Sequence, residues 1–190
     1  MQDFEPYRKF VTLSNGKEVL IRSLNGQDRP GLIKFFQQAP MEDVQFCKQD
    51  VKNPMVIDSW LNQGNCHRPL TLLALDVPTN RVVASLNLSK GQQAAQHVGD
   101  IQQILVARPV HGLGLGSLIL DGLIDLALKD NLHWLKVEIV TAMKGIVKAF
   151  QTKGFEVKTI LDDYFIDSKG ETFDVALMLR SLLKSDCEEF

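Results

Sequence analysis

The sequence contains little cysteine, and its cysteines lack the spacing of a metal or disulfide site. Three of the 190 residues are cysteines, Cys47, Cys66 and Cys187, and no two of them form a CxxC pair. An odd number without that spacing is atypical of a disulfide framework and of a zinc cluster. Three of the four histidines also lack metal-ligand spacing: His67, His97 and His133. We therefore expect reduced thiols, a cytoplasmic protein and no metal ion.

The sequence also lacks a strong net charge and a long apolar run. Its formal charge of -2 and its pI near 6.1 give no general attraction to nucleic acid or to an anionic membrane. The longest apolar stretch, near residues 113–128, is interrupted by glycine and aspartate. The first ten residues are charged and lack the apolar centre of a secretion signal. We expect neither a nucleic-acid partner nor a membrane partner.

No internal repeat or low-complexity stretch divides the chain. A length of 190 residues with 45% hydrophobic content suits one globular domain over residues 1–190. Such a domain buries roughly two-thirds of the surface that the unfolded chain exposes. Only the end of the chain, residues 184–190, is expected to be frayed.

The first half of the chain is predicted to form two hairpins separated by helices. Residues 10–22 are rich in β-formers around Asn15-Gly16, which is a strong hairpin signal. Helical patterning with proline punctuation over residues 27–63 predicts three short helices, which we expect to lie over one edge of the sheet. The runs 70–77 and 81–89 then flank a proline-containing turn and predict a second antiparallel hairpin.

The second half is predicted to begin with a strand-helix-strand unit. A strand near residues 100–107 leads into a helix from Leu115, whose apolar residues recur at helical spacing. The right-handed crossover to the next strand, 134–140, makes the two strands parallel or nearly so. The order closes with a helix over 142–152 and a hairpin of strands 155–166 and 172–182.

A glycine-rich turn separates the strand 100–107 from the helix. Glycines at 112, 114 and 116 permit backbone angles closed to other residues, and they remove side chains that would keep an anion away from the amides. These amides cluster at the positive end of the helix, which favours a diphosphate. The spacing excludes both the GxGxxG dinucleotide fingerprint and the lysine-containing triphosphate loop. The turn predicts a phosphate site, and a plain glycine turn that opens a helix stays an open alternative.

The segment His111-Gly112-Leu113-Gly114-Leu115-Gly116 and the order of elements resemble the GNAT superfamily of N-acyltransferases. The segment matches the family's phosphate loop, Gln/Arg-x-x-Gly-x-Gly/Ala, and Lys153-Gly154-Phe155 matches the end of a family helix. The closing DDYFIDSKGETFDVALML resembles the last hairpin of bacterial members. The resemblance implies a mixed α/β (α+β) fold. Its mostly antiparallel sheet has about six to seven strands, flanked by helices, with a splayed parallel pair at the cofactor cleft.

The resemblance implies acetyl-CoA as the cosubstrate. It assigns the pantetheine amides to the backbone of Leu105, Val106 and Ala107, and the diphosphate to the amides of the loop. The loop residues are His111, Gly112, Leu113, Gly114, Leu115, Gly116 and Ser117. His111 stands where the family has Arg or Gln. An ordinary histidine is mostly neutral at cytosolic pH, so it supplies a hydrogen bond more reliably than a charge. Arg108 is a candidate for the missing charge, with its direction left open.

The implied reaction is direct attack of a primary amine on the thioester in a ternary complex. A lysine-like amine is largely protonated near neutral pH, so a base or a water relay must help. Asp100 and Glu138 are the candidate bases, and each is also interpretable as an ordinary strand residue. The family's proton-donating tyrosine is Phe150 here, whose ring can still pack along the pantetheine, and Tyr164 is the substitute donor. An asparagine common in the same helix is Met143 here.

These residues lead to two functions of different kinds. The first is an N-acetyltransferase that acts on a protein lysine, an amino acid or a small amine. The alternative is an acyl-CoA-binding regulatory module with weak or lost catalysis, which the departures at Phe150 and Met143 favour. A structural protein that docks a partner through residues 27–63 is a third, weaker alternative. A homodimer is left open.

Overall fold

A computed structural model describes residues 6–62 and 69–183. It divides the chain into two compact units, residues 1–89 with 101–126 and residues 90–100 with 127–190. The single domain predicted over residues 1–190 stays a prediction. The expectations for Cys66, Cys187, His67 and the tail 184–190 lie outside the described residues.

The first unit contains most of five strands, the three helices of the predicted helical segment and the larger part of a fourth helix. The strands are β1 (Arg8–Thr12), β2 (Glu18–Ser23), β3 (Leu70–Asp76), β4 (Arg81–Lys90) and β5 (Val98–Val106), and they lie in that order. The helices are α1 (Arg29–Gln38), α2 (Met41–Val44), α3 (Pro54–Leu61) and the larger part of α4 (Leu115–Lys129). The pairs β1–β2, β2–β3 and β3–β4 are antiparallel, which confirms both predicted hairpins.

Local chemistry explains the first hairpin. Gly16 adopts a φ of +82°, and the Asn15 carboxamide accepts a hydrogen bond from the Lys17 amide at 3.1 Å. Glycine reaches this left-handed conformation without steric cost, and asparagine is a turn former. The Asn15-Gly16 signal therefore determined the position of the turn.

The helical segment lies against a face of the first unit's strands. Phe36 and Trp60 form an edge-to-face pair with ring centroids 5.9 Å apart, inside a cluster that also contains Leu73 of β3 and Leu105 of β5. Because β3 lies between β2 and β4, the prediction that these helices cover a sheet edge is wrong. Their large apolar side chains need the broader apolar face for burial.

The second unit contains the remaining strands and helix. These are β6 (Trp134–Val140), α5 (Lys144–Thr152), β7 (Glu156–Ile166) and β8 (Thr172–Ser181), with the strand order β6–β8–β7. Both β6–β8 and β7–β8 are antiparallel. Gly154 ends α5 with a φ of +78°, as predicted for a helix C-terminus.

The starts of β5 and β6 lie side by side in the second unit. The amides of His133 and Trp134 both donate to the carbonyl oxygen of His97, at 2.8 and 3.2 Å. Because both strands begin at this point, they run parallel, as the strand-helix-strand pattern predicted. The described residues form eight strands, where about six to seven were expected, and the mixed, mostly antiparallel fold class is confirmed. The splaying of the parallel pair stays a prediction.

Candidate active site

The glycine turn joins β5 to α4. Gly112 has a φ of +72° and Gly114 a φ of +86°, and a Cβ atom on either residue would meet no atom within 4 Å. The constraint at both positions is therefore the backbone conformation, which side-chain-bearing residues rarely adopt. Gly116 differs, because its φ is not positive and an added Cβ would make an ordinary 3.7 Å contact with Val106 Cγ2. Only two of the three glycines have the special angles that were expected.

The first turn of α4 presents backbone donors. The Leu118 amide donates to the carbonyl oxygen of Gly114 at 3.1 Å and is the first amide that the helix itself can satisfy. The preceding amides of Leu115, Gly116 and Ser117 have no acceptor within the helix, as at every helix N-terminus. Together with the dipole of a helix 15 residues long, these donors favour an anion at the turn.

The His111 ring is bonded to the end of β5. Its Nε2 atom lies 2.7 Å from the carbonyl oxygen of Val106. A carbonyl oxygen only accepts, so Nε2 must carry the hydrogen. The Ala107 amide donates to the Val83 carbonyl oxygen at 2.8 Å. Among the predicted pantetheine-binding residues, Leu105 is buried in the core cluster with the helices. These bonds hold the chain on both sides of the short helical turn Arg108–Val110.

Arg108 directs its charge to α2. Its Nε and Nη2 atoms each lie 3.0 Å from a carboxylate oxygen of Asp43, and Nη2 also lies 2.8 Å from Glu42 Oε2. The hydrogen bond from Arg108 holds the pKa of Asp43 below its ordinary value, and the same carboxylates raise the pKa of Arg108. The Arg108 guanidinium, whose direction the sequence left open, therefore points towards α2. Its ion pairs brace the turn 108–110, that is, they connect it to α2.

Two candidate bases converge on one lysine in the second unit. Lys136 Nζ lies 3.3 Å from Asp100 Oδ2 and 3.4 Å from Glu138 Oε1. Burial acts to lower the pKa of Lys136, but the charges of Asp100 and Glu138 outweigh it, so the pKa is raised. Lys136 was not predicted from the sequence. Its spacing of two from Glu138 could have indicated it, because residues two apart lie on one face of a strand, here β6.

The aromatic candidates lie in different environments. Phe150 is 1% exposed and packs edge-to-face on Phe155, with ring centroids 5.0 Å apart. Tyr164 is 53% exposed on β7, beside Phe165. Met143 precedes α5, where its carbonyl oxygen accepts from the amides of Ile146 and Val147. The structure therefore gives Phe150 a packing role, and it leaves the Tyr164 hydroxyl reachable from solvent.

Two features are absent from the part of the chain that the structure describes. Over residues 6–62 and 69–183, no helix is both long and apolar enough to span a membrane. The same residues contain no group of three or more histidine, cysteine, aspartate or glutamate side chains arranged to hold a metal ion.

Comparisons with known proteins identify similar folds. Residues 32–155 match the family model described as the acetyltransferase (GNAT) family. The chain superimposes on an acetyltransferase of the GNAT family from Streptococcus pneumoniae with a TM-score of 0.75, at 24% identity over 86% of this chain and 99% of that one. A comparison with curated protein sequences gives no match.

Two further solved structures have more specific names. A ribosomal-protein-alanine N-acetyltransferase from Brucella melitensis matches with a TM-score of 0.74, at 21% identity over 85% of this chain and 99% of that one. The ribosomal-protein-S18-alanine N-acetyltransferase from Escherichia coli matches with a TM-score of 0.69, at 18% identity over 90% of this chain and 99% of that one. At these identities the likeness shows the fold alone.

Proposed function

The chain belongs to the GNAT family of acetyltransferases, and from this premise we propose that it transfers an acetyl group from acetyl-CoA to a primary amine. The observation that carries the proposal is the turn at Gly112 and Gly114, where positive φ angles lead directly into the N-terminus of α4. Backbone amides at a helix N-terminus suit a diphosphate, which acetyl-CoA carries. The predicted loop from His111 to Ser117 would hold that diphosphate, and the backbone from Leu105 to Ala107 would hold the pantetheine.

Acetyl-CoA supplies an activated acyl group, and the chain's own residues must prepare the amine. An alkylammonium cannot attack a carbonyl carbon until a base removes its proton. Asp100 and Glu138 are the carboxylates proposed for this step. The N–H bond of the ammonium breaks and an O–H bond forms on the carboxylate, which leaves a free amine as the nucleophile.

The departing CoA thiolate needs a proton at the end of the reaction. Phe150 has no hydroxyl, and its ring is packed against Phe155. Tyr164 is the proposed donor, because its phenol is exposed enough to exchange a proton with water. Tyr164→Phe should then slow the reaction while acetyl-CoA affinity stays constant, and an unchanged rate would assign the proton to water.

A thiol-release assay tests the proposal. The protein is incubated with acetyl-CoA and a panel of amines that contains free lysine, a small diamine and a peptide with N-terminal alanine. The peptide is included because two structural neighbours are named as ribosomal-protein-alanine N-acetyltransferases. An enzyme releases CoA only when an acceptor is present. Mass spectrometry of the acceptor then locates the added acetyl group.

The second candidate function is an acyl-CoA-binding module. The buried, hydroxyl-free Phe150 at the position of the family's tyrosine favours it. A module would gain thermal stability on adding acetyl-CoA and release no CoA with any amine, because ligand binding to the native state raises stability by mass action. A protein that neither turns over nor shifts its melting temperature with acetyl-CoA would contradict both functions.

We also propose a bacterial, cytoplasmic enzyme, with a homodimer as an open oligomeric state. Cys47 is a free thiol, and burial raises its pKa to about 11, so it stays protonated at neutral pH. A buried, protonated thiol fits a reducing compartment. Light scattering on the purified chain decides between monomer and dimer.

A further inference from the structure

Lys136 stands between two carboxylates from neighbouring parallel strands. Asp100 belongs to the start of β5, and Glu138 follows Lys136 by two residues on β6. The Nζ atom is almost equally distant from both, at 3.3 and 3.4 Å. All three side chains are partly buried, with relative exposures of 23% for Asp100, 32% for Lys136 and 11% for Glu138. The Lys136 ammonium group therefore contacts two carboxylates at a partly buried position.

The neighbouring strands determine the charges that face this group. On β8, Leu179 pairs with Lys136 and Leu177 pairs with Glu138, so these β8 positions add no titratable side chain. On β5 the titratable residue is Asp100. The nearest histidines along the chain, His97 and His133, lie just before the two strands begin, and their rings contact each other at a tilt, with centroids 5.4 Å apart. Lys136 is thus a cation in contact with one carboxylate on each of the two parallel strands.

Two carboxylates that share a site do not both stay ionised easily without a nearby cation. A protonated carboxyl group cannot accept the proton of an ammonium. A cation between Asp100 and Glu138 therefore favours the ionised form, in which a carboxylate can act as a base.

We propose that Lys136 is a positioning residue that keeps Asp100 and Glu138 ionised and close together, so that this pair takes one proton from the acceptor ammonium. The inference rests on the proposed function, because it concerns the base of that reaction. It adds a residue that acts through the carboxylates and does not itself touch the acetyl group.

The test compares Lys136→Met with Lys158→Met. Lys158 is a matched control, because it pairs with Glu156 two residues away on β7, at 2.5 Å, in an exposed place. Lys136→Met should move the acidic limb of the pH profile of kcat/KM upward by about one pH unit or more. At a pH on that limb, the rate should fall by about tenfold. Lys158→Met should leave the profile unchanged, and Lys136→Arg should restore it.

A further measurement separates this role from a structural one. Calorimetry should give the same acetyl-CoA affinity for Lys136→Met and the wild type, because the proposed loop contacts are intact. If Lys136→Met is not folded by circular dichroism, Lys136→Gln takes its place, because it keeps a polar side chain without the charge.

The outcomes distinguish this inference from the proposed function. If the wild type acetylates no amine, the proposed function fails, and the carboxyl groups are then followed by ¹³C NMR. The Asp100 and Glu138 signals should still titrate at higher pH in Lys136→Met than in the wild type. If the wild type is active and the pH profile of Lys136→Met coincides with it, the role of Lys136 is overturned. Coinciding NMR titrations overturn it as well.

Discussion

The imidazole Nε2 of His111 lies 2.7 Å from the carbonyl oxygen of Val106, so the first residue of the glycine loop is bonded back to the last residue of β5. The side chain at this position therefore closes the short turn 108–110 from within the chain. A backbone carbonyl requires a donor, and histidine, glutamine and arginine all supply one. His111 replaces the family's usual Arg or Gln, and it keeps a hydrogen-bond donor at this position.

His111→Ala should weaken acetyl-CoA binding. The loss of one neutral hydrogen bond costs about 1 kcal/mol, which corresponds to about a fivefold higher Kd if the bond orders the loop for its ligand. His111→Gln should bind close to the wild-type level, because the carboxamide nitrogen can donate to Val106. Isothermal calorimetry measures both variants, with His133→Ala as the control for removing an imidazole elsewhere. Equal affinities for His111→Ala and the wild type would contradict a role of the bond in ordering the loop.

Gly114→Ala should lower both stability and acetyl-CoA affinity. A φ of +86° is strained for alanine, by about 1–2 kcal/mol. Gly16→Ala is the matched control, because Gly16 has nearly the same angle, +82°, and open space around an added Cβ. Both variants should lose similar free energy of unfolding in urea. Only Gly114→Ala should lose affinity, and equal affinities would show that the loop angles are unrelated to the ligand.

Arg108→Ala should change how stability depends on pH. The hydrogen bond from Arg108 depresses the pKa of Asp43 in the folded protein below its ordinary value. A depressed carboxyl pKa contributes stability that is present above the unfolded value and is lost as the pH falls through the folded one. The melting temperatures of the wild type and Arg108→Ala should therefore differ at neutral pH and converge below about pH 4.

Arg29→Ala provides the comparison for Arg108. Arg29 forms a similar two-contact pair with Asp58, in which both side chains are exposed, whereas in the Arg108 pair Arg108 is exposed and Asp43 is half-buried. Exposed ion pairs contribute little to stability, so both alanine variants should melt within a few degrees of the wild type. Only Arg108→Ala should raise the KM for acetyl-CoA, because its guanidinium braces the turn beside the loop. The exchanged pair Arg108→Asp with Asp43→Arg should recover part of that loss, and no recovery would contradict the brace.

Tyr7→Phe should leave stability unchanged or increase it by about 1 kcal/mol. The Tyr7 hydroxyl is buried and finds no hydrogen-bond partner among the described residues. Burial first, and then the charges of Asp125 and Asp121, raise the pKa of Tyr7. A raised pKa contributes stability that is present below the unfolded value near 10 and is lost as the pH rises through the folded value. Urea titrations at pH 7 and pH 11 should show a smaller alkaline loss for Tyr7→Phe than for the wild type.

Gly122→Ala should destabilise the protein through a clash with the Tyr7 ring. A Cβ on Gly122 would lie 3.0 Å from the Tyr7 Oη and Cζ atoms, so the ring would have to move. Overpacking of this kind costs about 1–3 kcal/mol. Gly145→Ala is the control, because Gly145 is also helical and its added Cβ meets no atom within 4 Å. The double variant Gly122→Ala with Tyr7→Phe should recover part of the lost free energy of unfolding. If the double variant is as unstable as Gly122→Ala alone, the clash involves a group other than the Tyr7 hydroxyl.

Much of the fold was predictable because the signals were local. Gly16 and Gly154 both adopt positive φ where a turn and a helix end were predicted, since glycine reaches this conformation at little cost. The strand 134–140 was predicted with the bounds that the structure has, because its apolar residues alternate. The prediction that the helical segment covers a sheet edge failed, since a sequence does not show which face offers Leu73 and Leu105.

The candidate site divides in the same way. The glycine loop was predictable, because the angles at Gly112 and Gly114 and the helix that follows are properties of one short segment. The direction of Arg108 was not, because its partner Asp43 lies 65 residues away in the sequence. The burial of Phe150 against Phe155 likewise depends on how α5 meets β7.

The sequence by itself determined the glycine turn, the order of the elements and the family that they resemble, because each depends on the backbone preferences of neighbouring residues. Only the tertiary structure determined which charged side chains form ion pairs. Asp100 and Lys136 are 36 positions apart in the sequence, and the parallel pairing of β5 and β6 brings them within 3.3 Å. Electrostatic interactions are strong only at such short distances in space, so the ion pair between the candidate base and Lys136 is a property of the fold.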